Sequence, residues 1–595
     1  MTDETKTCQN CKKEFLIEPE DFQFYKKIHV PPPTWCPNCR LQRRLTWRNM
    51  RSLYKRKCDL CKKEKIGMYA PDKPYKIYCS PCWWGDGWEA LDYGRDYDFS
   101  RPFFEQFEEL MQSAPLVGRF VFEDTMVNSD YTNMGLGLKN CYLAFNAGTD
   151  ERVCYSNSVH YSNDCLDVAY CSKSELCYEC SNIQNCYRLF YSKDCSACQD
   201  SFFLNNCIGC SSCFGCVNLR NKQYHIFNQP YTKESYFRKL EELGFDSGSY
   251  RSVSSFRQEV RPVWESAPMK YYHGIRNTNV SGDYINNCKN TRHSFHIADA
   301  EDVKFCAYLM FGGSVKDSYD WTQYGEKGEL IYELLQAGDS IYNNHFGWCI
   351  WHGTRNIEYG ILNVRSSDCF GCVGVKDKRF CIFNKQYSED DYRKLRQKII
   401  AHMSDIPYTD KQGRIYTYGE FFPPELSPFG YNETTAPEEF ELTESEARER
   451  GYKWVDAAAH RGVYAITKDA RELPDHIKNI EDGILSEIIG CAQCGAAYRL
   501  TKLELDFYRN QKVPLPHLCF ECRYKRRLHE KNPSRLWQRR CMCLNPDVLS
   551  RPHLYQNSTS HFHNTSHCPN EFETSYAPER PEIVYCEQCY NSEVV

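Results

Sequence analysis

The sequence predicts a mainly β protein with two parallel β-solenoid modules, flanked by duplicated pairs of zinc-ribbon, treble-clef-like modules and accompanied by a few short helices. Three observations predict this fold. Cysteines form regularly spaced C-x2-C pairs at both ends, the middle carries cysteines at a recurring 21-residue step, and one segment that closes the cysteine-rich region occurs twice. Long helical periodicity is absent from the middle of the chain.

Length and composition restrict the class of protein. A chain of 595 residues is long enough for several domains. Its net charge of -5 excludes a globally basic nucleic-acid-binding protein, although local basic patches can still bind. We expect no membrane partner, because no 18-residue apolar stretch occurs. We expect a cytoplasmic location, because the first residues lack the apolar segment of a signal peptide. In that reducing compartment the 36 cysteines favour metal sites over disulfides.

Two four-cysteine zinc sites are predicted near the N-terminus. Each C-x2-C forms a short turn that presents two thiolates, and two such turns complete the closed tetrahedron of a structural zinc site. No position is left for water, which argues against a catalytic metal. The predicted ligands are Cys8, Cys11, Cys36 and Cys39 for the first site and Cys58, Cys61, Cys79 and Cys82 for the second.

The C-terminal end repeats this arrangement. The 28-residue step between the first two cysteine pairs recurs from Cys491 to Cys519, and the 19-residue step between the two sites recurs from Cys522 to Cys541. The predicted ligands are Cys491, Cys494, Cys519 and Cys522 for the third site and Cys541, Cys543, Cys586 and Cys589 for the fourth, with His561, His563, His567 and Cys568 as alternatives in the fourth. The sequence therefore predicts about four structural Zn2+ ions.

An arginine-rich segment separates the two sites of each pair, at residues 40–57 and 523–540. The guanidinium fork matches phosphate oxygens, so we expect both segments to contact the backbone of RNA or DNA. The alternative is a solvated helix that packs against an acidic surface of the same protein. The expected nucleic-acid contacts are Arg43, Arg44, Arg48, Arg51, Arg526, Arg527, Arg539 and Arg540.

The middle of the chain predicts a cysteine- and tyrosine-rich solenoid. Thirteen cysteines lie between Cys141 and Cys216, and a 21-residue step relates Cys165, Cys186 and Cys207. This step predicts coils of about 20 residues, with those three cysteines stacked in one column. Asn or Asp precedes many of the cysteines, and we expect these residues at bends, where they tolerate left-handed backbone. Small buried thiols then fill the interior, and metal binding by these cysteines is the alternative.

A second, looser solenoid is predicted because the closing segment recurs. Cys213-Phe-Gly-Cys216 returns as Cys369-Phe-Gly-Cys372, and each copy leads to a capping strand and a charged helix. The predicted domains are a zinc pair at 1–90, a helical or extended connector at 91–140, the first solenoid with its capping helix at 141–240, a linker at 241–280, the second solenoid with its capping helix at 281–399, a Pro-rich loop and helical connector at 400–490, and the second zinc pair at 491–595.

The segment from Cys369-Phe-Gly-Cys372 to Phe383-Asn-Lys-Gln-Tyr387 and the ending around Cys586-Glu-Gln-Cys589-Tyr carry a resemblance. Over nearly the whole chain, the sequence resembles a family of large cysteine-rich, zinc-ribbon proteins encoded by uncultivated small-genome bacteria. The resemblance implies the same domain order and no particular activity.

Enzyme motifs do not emerge from the sequence. A phosphate-binding G-x4-G-K-[ST] loop and an H-E-x-x-H helix are both absent. His345 and His352 lie beside Trp348 and Trp351, a setting more typical of packed histidine than of a catalytic base. We therefore expect a zinc-binding scaffold or adaptor that binds nucleic acid. The alternatives are a protein–protein interaction scaffold, a carbohydrate-active β-helix enzyme and a thiol or metal storage protein.

Overall fold

The computed structural model describes residues 2–310, 313–456, 464–543, 555–564 and 566–594. More of these residues lie in strands than in helices, which confirms the mainly β prediction. The chain forms two compact units that interleave in sequence: the first comprises 1–119, 272–460 and 533–536, and the second 120–271, 461–532 and 537–595. Among the described residues, no helix is both long and apolar enough to cross a bilayer.

A parallel ladder of short strands forms the centre of the second unit. Neighbouring strands pair twelve residues apart, as in the row Val159, Cys171, Ile183 and Cys195. Isolated parallel bridges carry the same step onward, for example from Phe202 to Phe214 and Ile226. The strands are Asn133–Leu136, Tyr142–Gly148, Cys154–His160, Ala169–Ser172, Ser181–Gln184 and Lys193–Ser196 in one sheet, with Tyr187–Phe190 and Gln199–Phe202 paired in another.

Backbone conformation in this ladder has a period of three residues. The residue before many buried cysteines has a left-handed backbone: φ is 55° at Asn140, 49° at Asp164 and 52° at Asn206. The prediction of Asn and Asp at bends is confirmed at these positions. Each bend changes the chain direction, and the residue that follows many of the bends lies in the core cluster, as do Cys141, Cys165 and Cys207. Asn and Asp suit these bends because their short polar side chains tolerate positive φ.

The predicted 21-residue column is wrong. Parallel partners in the ladder lie twelve residues apart, and 21 is not a multiple of that step, so Cys165, Cys186 and Cys207 fall in different rows. Both 12 and 21 are multiples of three, the period of the bends. The 21-residue recurrence therefore indicates which residues face the core. It does not give the number of residues between paired strands.

The thirteen cysteines of this ladder serve as core residues. All are buried, and most of their thiols contact main-chain carbonyl oxygens; Cys180 Sγ, for example, lies 3.3 Å from Leu189 O. Burial raises the pKa of Cys141 and of Cys186 to about 12, so these thiols stay protonated at neutral pH. Within the described part of the chain, the clusters with metal-ligand spacing do not include them.

The first unit contains a second, less regular parallel ladder. Its step is thirteen residues from Tyr319 to Tyr332 and on to His345, but twelve from Ile357 to Cys369 and Cys381. The strands are Gly274–Ile275, Thr278–Asn286, Lys289–Ala298, Ala300–Lys304, Ala307–Leu309, Val315–Tyr324, Gly328–Glu329, Tyr332–Ala337, Ile341–Tyr342, His345–Ile350, Arg355–Glu358, Ser367–Phe370, Arg379–Ile382 and Lys385–Gln386.

Both ladders end in the same way. In the second unit the strands His225–Ile226 and Gln229–Pro230 form an antiparallel hairpin, followed by the helix Lys233–Leu243. In the first unit the last two strands also pair antiparallel, and the helix Glu389–Asp405 follows them. The predicted strand-and-helix closure is thus present twice. A closure of this kind protects the backbone groups at the open end of stacked strands.

The chain contains further helices and strands outside these ladders. The stretch 241–280, predicted as a linker, instead contains the helix Tyr250–Glu265, which buries Val253, Phe256 and Val260 at helical spacing. Further helices are Pro19–Lys27, Pro37–Leu45, Ser80–Trp84, Phe103–Ser113, Glu444–Glu449, Lys502–Gln511, Phe520–His529 and Glu587–Val594. Further strands are Glu4–Thr7, Glu14–Ile17, Tyr54–Lys57, Glu64–Gly67, Ile77–Tyr78, Leu116–Val117, Pro268–Lys270, Tyr408–Thr409, Ile415–Tyr416, Lys468–Asp469, Ile489–Gly490, Ala497–Tyr498, Trp537–Arg540, Glu571–Thr574 and Ile583–Tyr585.

A substitution of Cys171, in the row Val159, Cys171 and Ile183, tests whether the ladder cysteines are core residues. Cys171→Asp places an unpaired carboxylate between two apolar side chains, and we expect a loss of at least about 3 kcal/mol of unfolding free energy. The control Ser172→Asp changes the next, half-buried residue and should cost less than about 1 kcal/mol. Urea unfolding of both variants measures the difference. Similar small losses would contradict the assignment.

Candidate metal centres and the arginine contacts beside them

Among the described residues, four groups of four cysteines bring their sulfur atoms within 4.8 Å of one another. Such groups could hold a metal ion. The groups are Cys8, Cys11, Cys36 and Cys39; Cys58, Cys61, Cys79 and Cys82; Cys491, Cys494, Cys519 and Cys522; and Cys541, Cys568, Cys586 and Cys589. The first three are the predicted sets, and the fourth differs from its prediction by one residue.

Each group is built from a hairpin and the start of a helix. In the first group, Cys8 and Cys11 lie in the turn between the strands Glu4–Thr7 and Glu14–Ile17. Cys36 is the N-cap of the helix Pro37–Leu45, whose first turn carries Cys39. The backbone N–H of Cys36 donates to Cys8 Sγ at 3.2 Å. A helix N-terminus and N–H donors both favour the thiolate form that a metal requires.

The other groups repeat this local geometry. A backbone N–H donates to the first hairpin cysteine at 3.2 Å from Cys79 to Cys58, from Cys519 to Cys491 and from Cys586 to Cys541. In the fourth group, a hydrogen bond from the thiol of Cys541, together with N–H donors, outweighs burial and lowers the pKa of Cys586 to about 4. The duplication predicted from sequence spacing is therefore also a duplication of geometry.

The fourth predicted ligand set needs one correction: Cys568 replaces Cys543. Cys541 directly follows the strand Trp537–Arg540, and Cys568 lies three residues before its antiparallel partner Glu571–Thr574. The two hairpin cysteines of the second group hold the same positions relative to their own strands. Twenty-six residues separate Cys541 from Cys568, where the second group has two residues, so the fourth group carries an insertion. The nearest cysteine in sequence is therefore not the hairpin partner, and strand register is the signal that identifies it.

The arginines of the first basic segment are buried in ion pairs. Arg40, Arg43 and Arg44 have side chains at most 1% exposed. Arg40 and Arg44 bind Asp320, with N–O distances of 2.8 and 2.9 Å. Arg43 and Arg44 bind Glu333, at 2.7 and 3.0 Å. The two acids are thirteen residues apart, one step of the ladder in the first unit. A third carboxylate, Glu420, accepts from Arg43 at 2.8 Å.

The second basic segment makes the same contacts in the second unit. Arg523 and Arg527 each lie 3.0 Å from Asp167, and Arg526 lies 2.6 Å from Glu179. The two acids are twelve residues apart, again one ladder step. Burial alone would raise the pKa of Glu179, but the surrounding arginines, Arg526 first, lower it to about 2. The carboxylate is therefore ionised at neutral pH.

The eight arginines predicted to contact nucleic acid thus differ in accessibility. Arg48 is buried as well and donates to Gln336 Oε1 at 2.7 Å. Arg51 and Arg539 are half-buried, and Arg540 is exposed beside Glu571. The remaining four take part in the buried and half-buried ion pairs described above. Those arginines would have to leave a carboxylate before they could reach a phosphate, so packing against an acidic surface of the protein is the interpretation that fits them.

His345, near Trp348, belongs to a packed side of the first unit's ladder, whereas His352 is half-buried. His345 is buried, with Nδ1 3.9 Å from Glu358 Oε1. Glu358 also binds Arg396 at 2.5 Å. Burial raises the pKa of Glu358, but Arg396 and then His345 outweigh it and lower the pKa to about 2. The contacts fit the interpretation of His345 as a packed residue.

Comparisons of this chain with protein family models, with curated proteins and with solved structures found no match. The family resemblance of the Cys-Phe-Gly-Cys segments therefore stays a prediction.

The buried contacts predict that Arg44 stabilises the protein much more than the exposed Arg540 does. Arg44→Met leaves Asp320 and Glu333 short of a partner inside the protein, and we expect a loss of about 3–5 kcal/mol. Arg540→Met removes an exposed pair and should cost at most about 1 kcal/mol. Chemical unfolding of the two variants provides the measurement. Equal losses would show that burial of the arginine contributes little.

The lowered pKa of Glu179 predicts a pH-dependent contribution to stability. A carboxyl group whose pKa falls on folding stabilises the protein fully above its unfolded pKa of about 4.5 and loses that contribution as pH falls towards 2. Glu179→Gln should therefore lower stability at pH 7 by about 3 kcal/mol, and the gap to the wild type should close between pH 4.5 and 2. Unfolding midpoints of both proteins across this range test the expectation, since acid effects on the thiols are common to both. A pH-independent gap would contradict it.

Proposed function

We propose that this chain is a zinc-stabilised β-solenoid scaffold that binds other proteins. In this proposal each unit is a stack of short parallel coils, and a pair of zinc modules is fixed along its side. The observation that carries the proposal is the arginine–carboxylate contact that occurs in both units. It supports an internal, stabilising role for the basic segments, which fits a scaffold better than an exposed phosphate-binding surface.

The ladders support the solenoid part of the proposal. A constant step of twelve residues, a left-handed bend before the buried positions, and a hairpin-and-helix end are what stacked coils require. In the first unit the coils would be longer and less regular, because the step is thirteen residues at some positions and fifteen at others, as between Val303 and Ser318.

The ligand chemistry supports zinc. Four thiolates in a group suit Zn2+ or an iron–sulfur cluster, and a paired hairpin turn and helix start is a common structural zinc site. Four protein ligands leave no position for water, so the ion acts on stability and not on a substrate. Zinc would also fix the start of the helices that carry Arg40 and Arg523, four residues after Cys36 and Cys519.

One row of the second unit's ladder supports protein binding. Lys139, Glu151, Asn163, Glu175 and Tyr187 are successive parallel partners and form a mostly exposed polar row with a spacing of about 4.8 Å. Tyr187 is 42% exposed. Such a mixed polar row with tyrosine suits a protein partner. Several large aromatic side chains of this unit are covered and cannot contact a partner, because the buried cluster contains Tyr155, Tyr178, Phe190, Phe203 and Phe214.

Binding to RNA or DNA is the competing function. Fluorescence anisotropy of labelled RNA and DNA, titrated with the full chain from 50 to 300 mM salt, separates the two. We expect no salt-dependent binding, because the ion-paired arginines are already neutralised. Binding that weakens with salt at a slope of about -0.7 to -0.9 per contact would overturn this expectation.

A photoreactive residue tests the protein-binding row directly. We expect a photoreactive residue in place of Tyr187 to crosslink a discrete set of proteins in native cells. The matched control replaces Tyr161, another exposed tyrosine of the same unit that lies off this row. Equal crosslinking at both positions, or crosslinks to nucleic acid alone, would contradict the proposal.

Metal content distinguishes structural zinc sites from metal storage by ladder thiols. The double variant Cys491→Ser, Cys494→Ser should lose one Zn2+ per chain and become more sensitive to proteases in the second unit. The matched double variant Cys195→Ser, Cys198→Ser alters a C-x2-C pair of the ladder and should keep the wild-type zinc content. Elemental analysis of the purified proteins measures both. Loss of zinc from the ladder variant would favour the storage alternative.

A further inference from the structure

Cys589 belongs to two clusters of metal-binding atoms. It completes the fourth four-cysteine group, and its sulfur also lies within 4.8 Å of the donor atoms of Cys543, His561 and His563. All four residues of this second cluster are buried. The two clusters share one sulfur atom, which places two candidate metal positions side by side.

The contacts within the second cluster are close. Cys543 Sγ lies 3.0 Å from His561 Nδ1, and Cys589 Sγ lies 3.3 Å from His563 Nε2. Cys589 Sγ is also 3.7 Å from Cys568 Sγ in the first cluster. Two thiols and two imidazoles at these distances form a Cys2His2 set, which is a common tetrahedral arrangement for zinc.

Hydrogen bonds orient both imidazoles with one ring nitrogen towards sulfur. His563 Nδ1 lies 2.7 Å from Ser566 O, and a carbonyl oxygen only accepts, so Nδ1 carries the hydrogen and Nε2 turns towards Cys589. His561 Nε2 lies 2.7 Å from Glu593 Oε1 and Nδ1 turns towards Cys543. Metal-binding histidines show this pattern, because the outer nitrogen donates to a carboxylate or carbonyl.

Burial in this loop follows ligand chemistry and not hydrophobicity. His561 and His563 are buried at 5% and 8% exposure, while Phe562 between them is 53% exposed. A loop fixed by apolar packing would bury the phenylalanine and expose the polar imidazoles. Glu593 is held in turn by donors from Tyr555 and Ser558, so the residue that orients His561 is itself fixed.

We propose that the fourth module binds two zinc ions bridged by the thiolate of Cys589. Cys541, Cys568 and Cys586 complete one ion, and Cys543, His561 and His563 complete the other. This rests on the proposed zinc binding at the fourth four-cysteine group. Five thiolates, two Zn2+ ions and two neutral imidazoles carry a net charge of -1, against -2 for four thiolates around one ion. The second ion therefore reduces the charge that the protein must bury.

The second module of the chain provides an internal comparison. Its hairpin cysteines, Cys58 and Cys61, enclose two residues, whereas the fourth module encloses 26 residues that carry Cys543, His561 and His563. Within the described residues, the four cysteines of the second module share no ligand with another cluster. The insertion supplies every additional ligand of the second ion except the bridging sulfur.

Native mass spectrometry of the reduced full-length protein tests the cluster. We expect five zinc ions in the wild type and four in His561→Ala, in His563→Ala and in Cys543→Ser. His567→Ala is the matched control, because His567 lies in the same loop outside both clusters, and it should keep five. A wild-type count of four that the three variants leave unchanged would overturn the second ion.

A separate result would identify failure of the zinc proposal itself. In that case Cys491→Ser, Cys494→Ser would not lower the zinc content, whatever the histidine variants do. Co2+ loading shows whether the fourth module stays folded in a variant: His563→Ala should keep the thiolate-to-cobalt absorption of four four-cysteine sites, whereas an unfolded fourth module would leave that of three. Absorption equivalent to only three such sites in all three variants would contradict two separable ions.

Discussion

In each unit, a helix that starts at a four-cysteine group contacts two carboxylates one ladder step apart, and the packing of the unit depends on this contact. The helix begins at a cysteine N-cap, and four residues later an arginine enters the ladder, Arg40 in one unit and Arg523 in the other. Its carboxylate partner, Asp320 or Asp167, lies one ladder step before a second buried acid, Glu333 or Glu179. The acids lie beneath one helix only when the ladder is in register, and the arginines reach them only when the helix start is fixed. Metal site, helix and ladder therefore depend on one another.

The buried charges select one placement of the helix on the ladder. In the first unit, Arg40, Arg43 and Arg44 face Asp320, Glu333 and Glu420, so the buried group is close to neutral. Isolated charges inside the protein would cost several kcal/mol each, and the complete set avoids that cost. A helix placed one turn away would leave the same charges unpaired. The contacts thus add less to net stability than they add to the choice of one arrangement.

Sequence spacing predicted the features that depend on neighbouring residues. Fifteen of the sixteen predicted cysteine ligands lie in the four clusters, since two thiols of one turn must lie three residues apart to share a metal. Asn140 and Asp164 were placed at bends because positive φ is a local property. The burial of Arg44 could not be predicted in this way, because its partner Asp320 is 276 residues away. The interleaving of the two units has the same long-range origin.

The errors also have physical causes. A step of 21 residues and a step of twelve both preserve the three-residue bend, so the cysteine pattern does not distinguish them. Cys568 was predicted only as an alternative ligand, because an insertion had separated it from Cys541 in sequence while strand pairing kept the two together. A C-x2-C motif indicates two cysteines in a short hairpin turn. An insertion in that turn removes the motif from the sequence, although the ligand keeps its position in the structure. The loop that erased it brings Cys543, His561 and His563 to the same sulfur, so the departure from the motif identifies the place where this module differs chemically from the other three.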